Sequence, residues 1–170
     1  MPRLLLLRHA SAGPKPAGGM DFDRPLDEAG RREAALMGGE MAARGWLPDR
    51  ALCSPAARTR QTLQLVLQAV SREPATEFLP DLYDGMEEDY VDLARLHGGE
   101  AGALILVGHS PAVRLTALAL VAPGDPLRAI VHDTFPTAAL AVVEFDGAWA
   151  DLRPGHGSLA GFLRPTDLGS

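Results

Sequence analysis

The chain has 170 residues, of which 46% are hydrophobic and 22% are charged, and its formal net charge at pH 7 is −6. This composition predicts a folded protein with its own core and excludes a disordered chain. The acidic balance, without any run of lysine or arginine, argues against a nucleic-acid partner.

Three further features bear on disulfides and on location. Cys53 is the single cysteine, so no internal disulfide can form. No apolar stretch is long enough to cross a membrane, and the leucine run Leu4–Leu7 is too short for a secretory signal. We therefore expect a cytoplasmic protein with no membrane partner.

The first half of the chain alternates short apolar runs with helical segments. The run Leu4–Leu7 has no polar alternation, which is typical of a strand covered on both faces. A loop rich in glycine, proline and alanine follows over Ser11–Phe22, and a helix is predicted over Leu26–Arg44, with Asp27 as its N-cap and Gly45 as its stop. The next elements are a strand over Arg50–Cys53, a helix from Pro55 to about Ser71, and a strand over Thr76–Leu79.

The second half continues the same alternation. A helix is predicted over Glu87–Leu96, and the strand Ala103–Val107 leads through a Gly-His-Ser-Pro segment into a helix over Pro111–Val121. The segments Ala139–Phe145 and Trp149–Leu152 are interpreted as a hairpin around an Asp-Gly turn. The last segment, 154–170, is rich in glycine and proline and is predicted to wrap over the surface.

This order of elements predicts the fold class. Strands that alternate with helices are typical of an α/β domain whose sheet is largely parallel. The final hairpin would add antiparallel strands to it. We therefore predict a single-domain α/β fold over residues 1–170, with a mostly parallel mixed sheet and helices on both faces.

Polar residues stand where two of the predicted strands end. Arg8 and His9 follow the first strand, and His109 and Ser110 follow the strand Ala103–Val107. In sheets of this kind, ligands bind beyond the carboxyl ends of the strands. If the two strands are parallel neighbours, both histidines face one crevice.

A third polar cluster follows the second strand. Arg58 lies in the first turn of the helix that begins at Ser54-Pro55, where free backbone N–H groups also favour an anion. Guanidinium groups match phosphate oxygens two at a time. Positive charge nearby lowers the pKa of a histidine and keeps its ring neutral, so that a ring nitrogen can attack a phosphoryl group. The cluster therefore indicates phosphate chemistry.

Three segments resemble the signature segments of a known family. These are LLLLRHASAG from Leu4, SPAARTRQT from Ser54 and LVGHSPAV from Leu106, and they look like those of the histidine phosphatase superfamily. The short length and the segments RPLDEAG and FPTAALAVVEF are similar to the SixA-like phosphohistidine phosphatase branch. The resemblance runs from Arg3 to about Phe145 and implies a phosphoglycerate mutase-like fold.

The resemblance also implies roles for individual residues. His9 matches the nucleophile that becomes phosphorylated, and Arg8 and Arg58 match the phosphate-binding arginines. His109 matches the second histidine, which binds the phosphoryl oxygens. Arg24 matches an arginine of the small branch that binds phosphate or substrate. Ser110, which follows His109, is a further candidate for phosphate binding.

The general acid of the family is less clear in this chain. Larger members carry a glutamate after the third strand, and Asp81 stands in its place here, with Asp84, Glu87 and Glu88 as alternatives. The insertion that forms a lid in larger members is missing, which implies an open site for a protein-borne phosphate. Asp21 and Asp23 are expected to cap or solvate their loop rather than to catalyse.

These features together predict a metal-independent phosphatase without a cofactor, acting through a phosphohistidine enzyme intermediate. Its favoured substrate is phosphohistidine of a signalling protein; a small phosphomonoester substrate and a non-catalytic phosphate-binding module are the alternatives. An α/β-hydrolase triad of Ser110, Asp133 and His156 is disfavoured, because Pro111 lacks the backbone N–H that an oxyanion hole needs there. The sequence does not indicate an oligomeric state.

Overall fold

The computed structural model describes residues 1–169, which contain one six-stranded sheet. Its strands are β1 (Arg3–Arg8), β2 (Arg50–Cys53), β3 (Ala75–Phe78), β4 (Ala103–Gly108), β5 (Leu140–Glu144) and β6 (Ser158–Leu163). They lie in the order β3-β2-β4-β1-β5-β6. The first four strands of this order are parallel to one another, whereas β5 is antiparallel to both β1 and β6. The predicted α/β fold with a mostly parallel mixed sheet is confirmed.

Helices cover both faces of this sheet, as predicted. Within residues 1–169 they are α1 (Glu28–Arg44), α2 (Ala57–Val70), α3 (Asp81–Asp84), α4 (Glu87–His97), α5 (Ala112–Leu120) and α6 (Arg128–Asp133). Apolar side chains of α1 and α2 form one core with Leu5 and Leu7 of β1. Those of α4 and α5 form a second core with Leu4 and Leu6 on the opposite face. The short α3, which the sequence did not predict, leads from β3 into α4.

The central strand β1 shows why an uninterrupted apolar run folds in this way. Its side chains alternate between the two cores, so all four leucines are fully buried. Burying a leucine stabilises the fold by about 1.5–3 kcal/mol. β1 and β4 pair in register up to Arg8 opposite Gly108. The residues that follow, His9 and His109, therefore leave the sheet side by side.

The helix boundaries agree with the predictions to within about two residues where caps are present. Asp27 is the N-cap of α1, because its Oδ1 accepts the backbone N–H of Gly30 at 2.8 Å. Gly45 ends that helix in a left-handed conformation with φ of 70°. In the part of the chain that the structure describes, no helix has the length and apolar character needed to cross a membrane.

The predicted hairpin near the C-terminus is wrong in its second strand. The stretch Trp149–Asp151 is a short 3-10 turn. The Trp149 indole is buried against Phe145, and its Nε1–H donates to the carbonyl of Ala101 at 2.8 Å. The antiparallel partner of β5 is instead β6, which lies in the segment predicted to wrap over the surface. A buried tryptophan after an Asp-Gly turn has the sequence pattern of a returning strand, whereas Ala160 and Gly161 interrupt the large apolar residues of β6.

Candidate active site

The two histidines meet at the carboxyl ends of β1 and β4. The backbone N–H of His9 donates to the Gly108 carbonyl at 3.1 Å and continues the pairing of the two strands. The imidazole rings of His9 and His109 have their centroids 5.4 Å apart and are tilted by 54°. The strand order brings together two side chains that are remote in the sequence, and both are mostly buried.

The protonation state of His9 follows from one hydrogen bond. Its Nδ1 lies 2.7 Å from the carbonyl oxygen of Ala10. A carbonyl oxygen only accepts, so Nδ1 carries the proton and Nε2 of the neutral ring keeps its lone pair. Burial lowers the pKa of His9 to about 4, and positive charges of neighbouring arginines act in the same direction, whereas the hydrogen bond to Ala10 opposes them. His9 is thus neutral at pH 7 with Nε2 available.

His109 is held by a different pair of contacts. Its Nε2 lies 2.8 Å from Ser54 Oγ, and its Nδ1 lies 3.4 Å from Nη2 of Arg58. A guanidinium only donates, so Nδ1 accepts and the Nε2–H donates to Ser54. Burial lowers the pKa of His109 to about 3, with smaller contributions of the same sign from His9 and Arg58. Ser54 was not predicted as a site residue, although it begins the segment SPAARTRQT, which resembles a family signature.

The Tyr90 hydroxyl binds the backbone of His109. It donates to the carbonyl of Leu82 at 2.6 Å and accepts the backbone N–H of His109 at 3.1 Å. A Cβ at Gly108 would collide with the Tyr90 ring, so the strand end at this position requires a glycine. The position of His109 therefore depends on α3, α4 and β4 together.

Of the two predicted phosphate-binding arginines, Arg58 contacts His109, and Arg8 lies near enough for its charge to lower the pKa of both histidines. Arg8, the last residue of β1, donates from Nη1 to the carbonyl of Phe135 at 2.8 Å. Arg58 is only 7% exposed and donates from Nη1 to the carbonyl of Asp21 at 2.9 Å. The Nε of each arginine is buried and has no hydrogen-bond partner within residues 1–169. Each side chain therefore keeps at least one buried donor that no protein group satisfies.

The loop that follows His9 is fixed by α1 and α2. The backbone N–H of Ala10 donates to Thr62 Oγ1 at 2.9 Å, and the N–H of Ser11 donates to Glu33 Oε1 at 2.8 Å. Glu33 also accepts from Thr137 Oγ1 at 3.2 Å. Burial lowers the pKa of the Arg8 guanidinium, and the nearby negative charge of Glu33 opposes that effect. These contacts hold the loop against both helices.

Asp21, which is expected to cap or solvate its loop rather than to catalyse, also makes contacts beyond that loop. Its Oδ2 lies 3.1 Å from Nη2 of Arg58 and accepts the hydroxyl of Tyr83 at 2.8 Å. Its Oδ1 accepts from Nη1 of Arg24 at 3.2 Å. The hydrogen bond from Tyr83, followed by those from the two arginines, lowers the pKa of Asp21 to about 2. In the sequence, the Asp-x-Asp-Arg spacing places Arg24 on the same turn as Asp21, and this pattern could have indicated that Asp21 belongs to the site.

Aromatic rings complete this rim of the pocket. Tyr83 stands edge-on to His109, with ring centroids 5.4 Å apart, and edge-on to Phe22 at 5.1 Å. The Arg58 guanidinium lies 6.0 Å from the centre of the Tyr83 ring. The rim, defined as Asp21, Phe22, Arg24 and Tyr83, is more exposed than the residues beneath it.

Arg24 and Ser110 differ in how they join the site. Arg24 contacts Asp21 and donates from Nε to the carbonyl of Gly13 at 2.9 Å, so it belongs to the rim. Ser110 follows His109 and is half-buried, but its hydroxyl makes no hydrogen bond within residues 1–169. Ser110 is therefore adjacent to the site without being tied to it.

The structure does not bring the candidate acids into the network around the histidines. Asp81 and Asp84 are exposed, and neither carboxylate makes a hydrogen bond or ion pair with the rest of the described chain. Glu87 and Glu88 line a separate cavity of about 130 Å³ with Val91 and other residues of α4 and α5. The carboxylate of Asp21, in contrast, contacts Arg58, which lies next to His109.

The competing arrangements are absent from residues 1–169. No group of three or more histidine, cysteine, aspartate and glutamate side chains there is placed to hold a metal ion. The hydrolase triad is not assembled either, because Asp133 pairs with His132 at 3.3 Å and the ring of His156 packs on Phe145.

Comparison with known proteins places these features in a family. The sequence model of a protein family, the histidine phosphatase superfamily (branch 1), matches residues 4–84. An uncharacterized protein of Mycobacterium tuberculosis is 33% identical over 162 residues, which cover 94% of this chain and 99% of the relative.

Solved structures agree with this comparison over nearly the whole chain. The SixA protein of Agrobacterium tumefaciens is 35% identical, with a TM-score of 0.82, and the match covers 97% of this chain and 99% of that one. A protein histidine phosphatase SixA complexed with tungstate is 25% identical, with a TM-score of 0.79, over 97% and 98% of the two chains.

Proposed function

Because the chain belongs to the histidine phosphatase superfamily and is a SixA-like phosphatase, we propose that it removes phosphoryl groups from phosphorylated histidines of a signalling protein. The observation that carries the proposal is the state of His9. Its ring is neutral, its Nδ1–H is committed to the Ala10 carbonyl, and its Nε2 is free beside two arginines and a second histidine. A nucleophile for phosphorus needs this combination.

In the first step, Nε2 of His9 attacks phosphorus while the bond from phosphorus to the leaving nitrogen breaks. Phosphoryl transfer depends mainly on positioning and on stabilising the charge of the equatorial oxygens. Arg8 and Arg58 supply guanidinium donors for these oxygens. His109 supplies a further contact at the same place. The pocket thereby compensates the negative charge through side chains of this chain alone.

In the second step, a water oxygen attacks the phosphorylated His9. The bond between Nε2 and phosphorus breaks, its electron pair returns to the ring, and the water proton passes to the phosphate or to solvent. The Nδ1–H of His9 donates to the Ala10 carbonyl throughout. This hydrogen bond stabilises the positive charge of the phosphorylated ring, and it keeps Nε2 pointing at the phosphate pocket.

The substrate class follows from the rim. The residues around the pocket are half-exposed or exposed, and no long insertion stands between α3 and β4 to cover them. A phosphate carried on the surface of another protein can therefore reach His9. An alkyl phosphate requires a neutral acid to protonate its leaving oxygen, and the carboxylate on the rim is ionised at pH 7. A phosphorylated imidazole that is already protonated has no such requirement.

The tungstate complex of a SixA protein supports this proposal, because tungstate is a tetrahedral oxyanion like phosphate. Retention of a tetrahedral oxyanion by a relative of the same fold is consistent with phosphate binding at the corresponding place here. The tungstate complex of the relative supports an oxyanion ligand, and the contacts of His9 support the proposed chemistry.

His9→Ala tests the proposal. We expect this variant to lose at least about 1,000-fold in turnover of a phosphohistidine-containing protein, because the covalent step has no substitute nucleophile. The wild-type protein should form an acid-labile phosphoenzyme when mixed with labelled substrate, and the variant should not. Circular dichroism should be the same for both.

A substrate panel tests the finer claim. The wild-type protein should favour a phosphohistidine peptide over phosphoserine peptides and small alkyl phosphates. Faster turnover of the alkyl phosphates would assign the chain to small phosphomonoesters. Binding of phosphate without any turnover would make it a binding module. Wild-type rates in His9→Ala would remove the mechanism altogether.

A further inference from the structure

We propose that Asp21 determines specificity by binding the protonated imidazole ring of the leaving histidine. The proposal rests on the function proposed above and assigns a role to a rim carboxylate that is not one of the predicted acids. Its role is that of a fixed negative charge, and not that of a proton donor.

The Asp21 carboxylate is anchored by side chains from three elements of the structure. Asp21 lies in a short 3-10 turn of the loop between β1 and α1, yet three other residues hold it. Arg58 from α2 and Tyr83 from α3 bind Oδ2, and Arg24 from the same loop binds Oδ1. A side chain with these three partners keeps a defined position at the mouth of the pocket. A carboxylate that only solvated its loop would need none of them.

The anchored Asp21 carboxylate can still accept a further hydrogen bond. A carboxylate can accept about four hydrogen bonds, and the three donors leave Oδ1 with one lone pair free. The side chain of Asp21 is still 54% exposed, so a ligand arriving from solvent can reach it. At the same time, Arg58 joins this carboxylate to His109, which places it next to the phosphate pocket.

The groups around Asp21 keep its carboxylate negatively charged. The groups that face Asp21 are Arg58 of α2, Arg24 of its own loop, Tyr83 of α3 and His109 at the end of β4. Two of them are cationic, one donates a hydroxyl proton, and none is anionic. The pKa of Asp21 lies at about 2 for this reason, so the carboxylate is ionised throughout the physiological range. It cannot serve as an acid there, but it can accept an N–H from a cation.

The chemistry of the leaving group explains the use of such an acceptor. A phosphorylated imidazole leaves readily only when its second nitrogen carries a proton. The bond between phosphorus and nitrogen then breaks, its electron pair returns to that nitrogen, and the ring departs as neutral imidazole with the second N–H unchanged. The phosphoryl group passes to Nε2 of His9. A carboxylate beside the second N–H stabilises the protonated form of the bound substrate and raises its pKa.

The aromatic rings of the rim fit the same ligand. Phe22 and Tyr83 pack edge to face beside the carboxylate, with ring centroids 5.1 Å apart. An aromatic face attracts a cationic ring, and the attraction adds to the charge-assisted hydrogen bond that the ring N–H donates to Asp21. An alkyl phosphate offers neither a cation nor a ring to these groups. The rim therefore distinguishes an imidazolium leaving group from an alcohol.

Asp21→Asn tests the proposal with two substrates. One is a phosphohistidine peptide, and the other is p-nitrophenyl phosphate, whose leaving group needs no proton. We expect the variant to lower the ratio of the two kcat/KM values by about tenfold or more, and to move the alkaline limb of the phosphohistidine profile to lower pH. Asp21→Glu, which keeps the charge, should recover part of the ratio.

Asp23→Asn is the matched control. Asp23 lies on the same turn and is exposed, and an asparagine there can still accept the Met20 N–H that its carboxylate accepts at 2.9 Å. This variant should show the wild-type ratio and pH profile. Thermal unfolding of all three variants separates a folding defect from a change in specificity.

The outcomes separate the two proposals. An equal loss on both substrates by Asp21→Asn, with an unmoved alkaline limb, would show that Asp21 only positions Arg58 and would overturn this inference alone. A wild-type protein that hydrolyses p-nitrophenyl phosphate but not the phosphohistidine peptide would overturn the proposed function and this inference with it. A changed ratio in Asp23→Asn of the same size would assign the effect to net charge, which also contradicts the proposal.

Discussion

The floor and the rim of the pocket are built in different ways. The floor consists of Arg8, His9, Ser54 and His109, which stand at the ends of neighbouring strands and are buried or half-buried. The rim consists of side chains from a loop and from the four-residue α3, which meet through the Asp21 carboxylate and through the rings of Phe22 and Tyr83. Strand register positions the groups that we propose for the chemistry, and loop contacts position those that we propose for substrate choice.

Arg58 joins the two regions, so we expect its substitution to impair both of them and to have the largest effect. Arg58→Lys replaces a planar fork with a point charge, and the ammonium cannot bind Asp21, His109 and a phosphoryl oxygen together. We expect a loss of about 100-fold in kcat/KM on both substrates. Arg60→Lys, at an exposed position on the same helix, is the control and should remain near wild type. Similar rates for the two variants would contradict a shared role for Arg58.

Ser54 belongs to the floor alone, so its removal should leave the specificity of the rim intact. Ser54→Ala leaves the buried Nε2–H of His109 without its acceptor and frees the ring to rotate. We expect about a tenfold fall in kcat/KM on both substrates, with their ratio preserved. NMR of the ring nitrogens should report a changed tautomer of His109. A changed substrate ratio would show that the floor and the rim are not separable.

The smallest expected effect is on stability, and it concerns the floor. The pKa values of His9 and His109, about 4 and about 3, lie below the usual value of 6.5, so the unfolded chain binds protons that the folded chain does not. Stability from these histidines is complete above pH 6.5 and is lost as the pH falls toward 4. Urea unfolding of His9→Ala should show a weaker dependence on pH than the wild type does. Parallel curves would mean that the ring of His9 is not buried in its neutral form.

Much of the fold could be predicted, because its central strands carry local signals. An apolar run without alternation identified β1 and β4, and helix caps at Asp27 and Gly45 marked the bounds of α1. The strand β6 was not predicted because Ala160 and Gly161 interrupt its large apolar residues, which therefore do not alternate. Its place depends on pairing with β5, which no local sequence feature reveals.

The site divides in the same way. Arg8, His9, Arg58 and His109 follow strands or begin a helix, where topology alone brings side chains together. The role of Asp21 could not be predicted, because its partners come from α2 and α3 and the carboxylate is exposed, as a solvated loop residue would be. Asp81 was predicted as the acid from its position in a motif. In the structure it lies in α3, and its exposed carboxylate has no hydrogen-bond partner within residues 1–169.

The pairing of β1 with β4 has a consequence for how the protein loses activity. His9 extends the ladder of backbone hydrogen bonds at the centre of the sheet, and the backbone N–H of His109 beside it donates to the buried Tyr90 hydroxyl, between two buried cores. Local opening in a protein starts at loops and edges, whereas such a centre opens only when the whole domain does. Catalysis should therefore persist on heating until the cooperative transition itself, and the amide protons flanking the two rings should be among the last to exchange with deuterium.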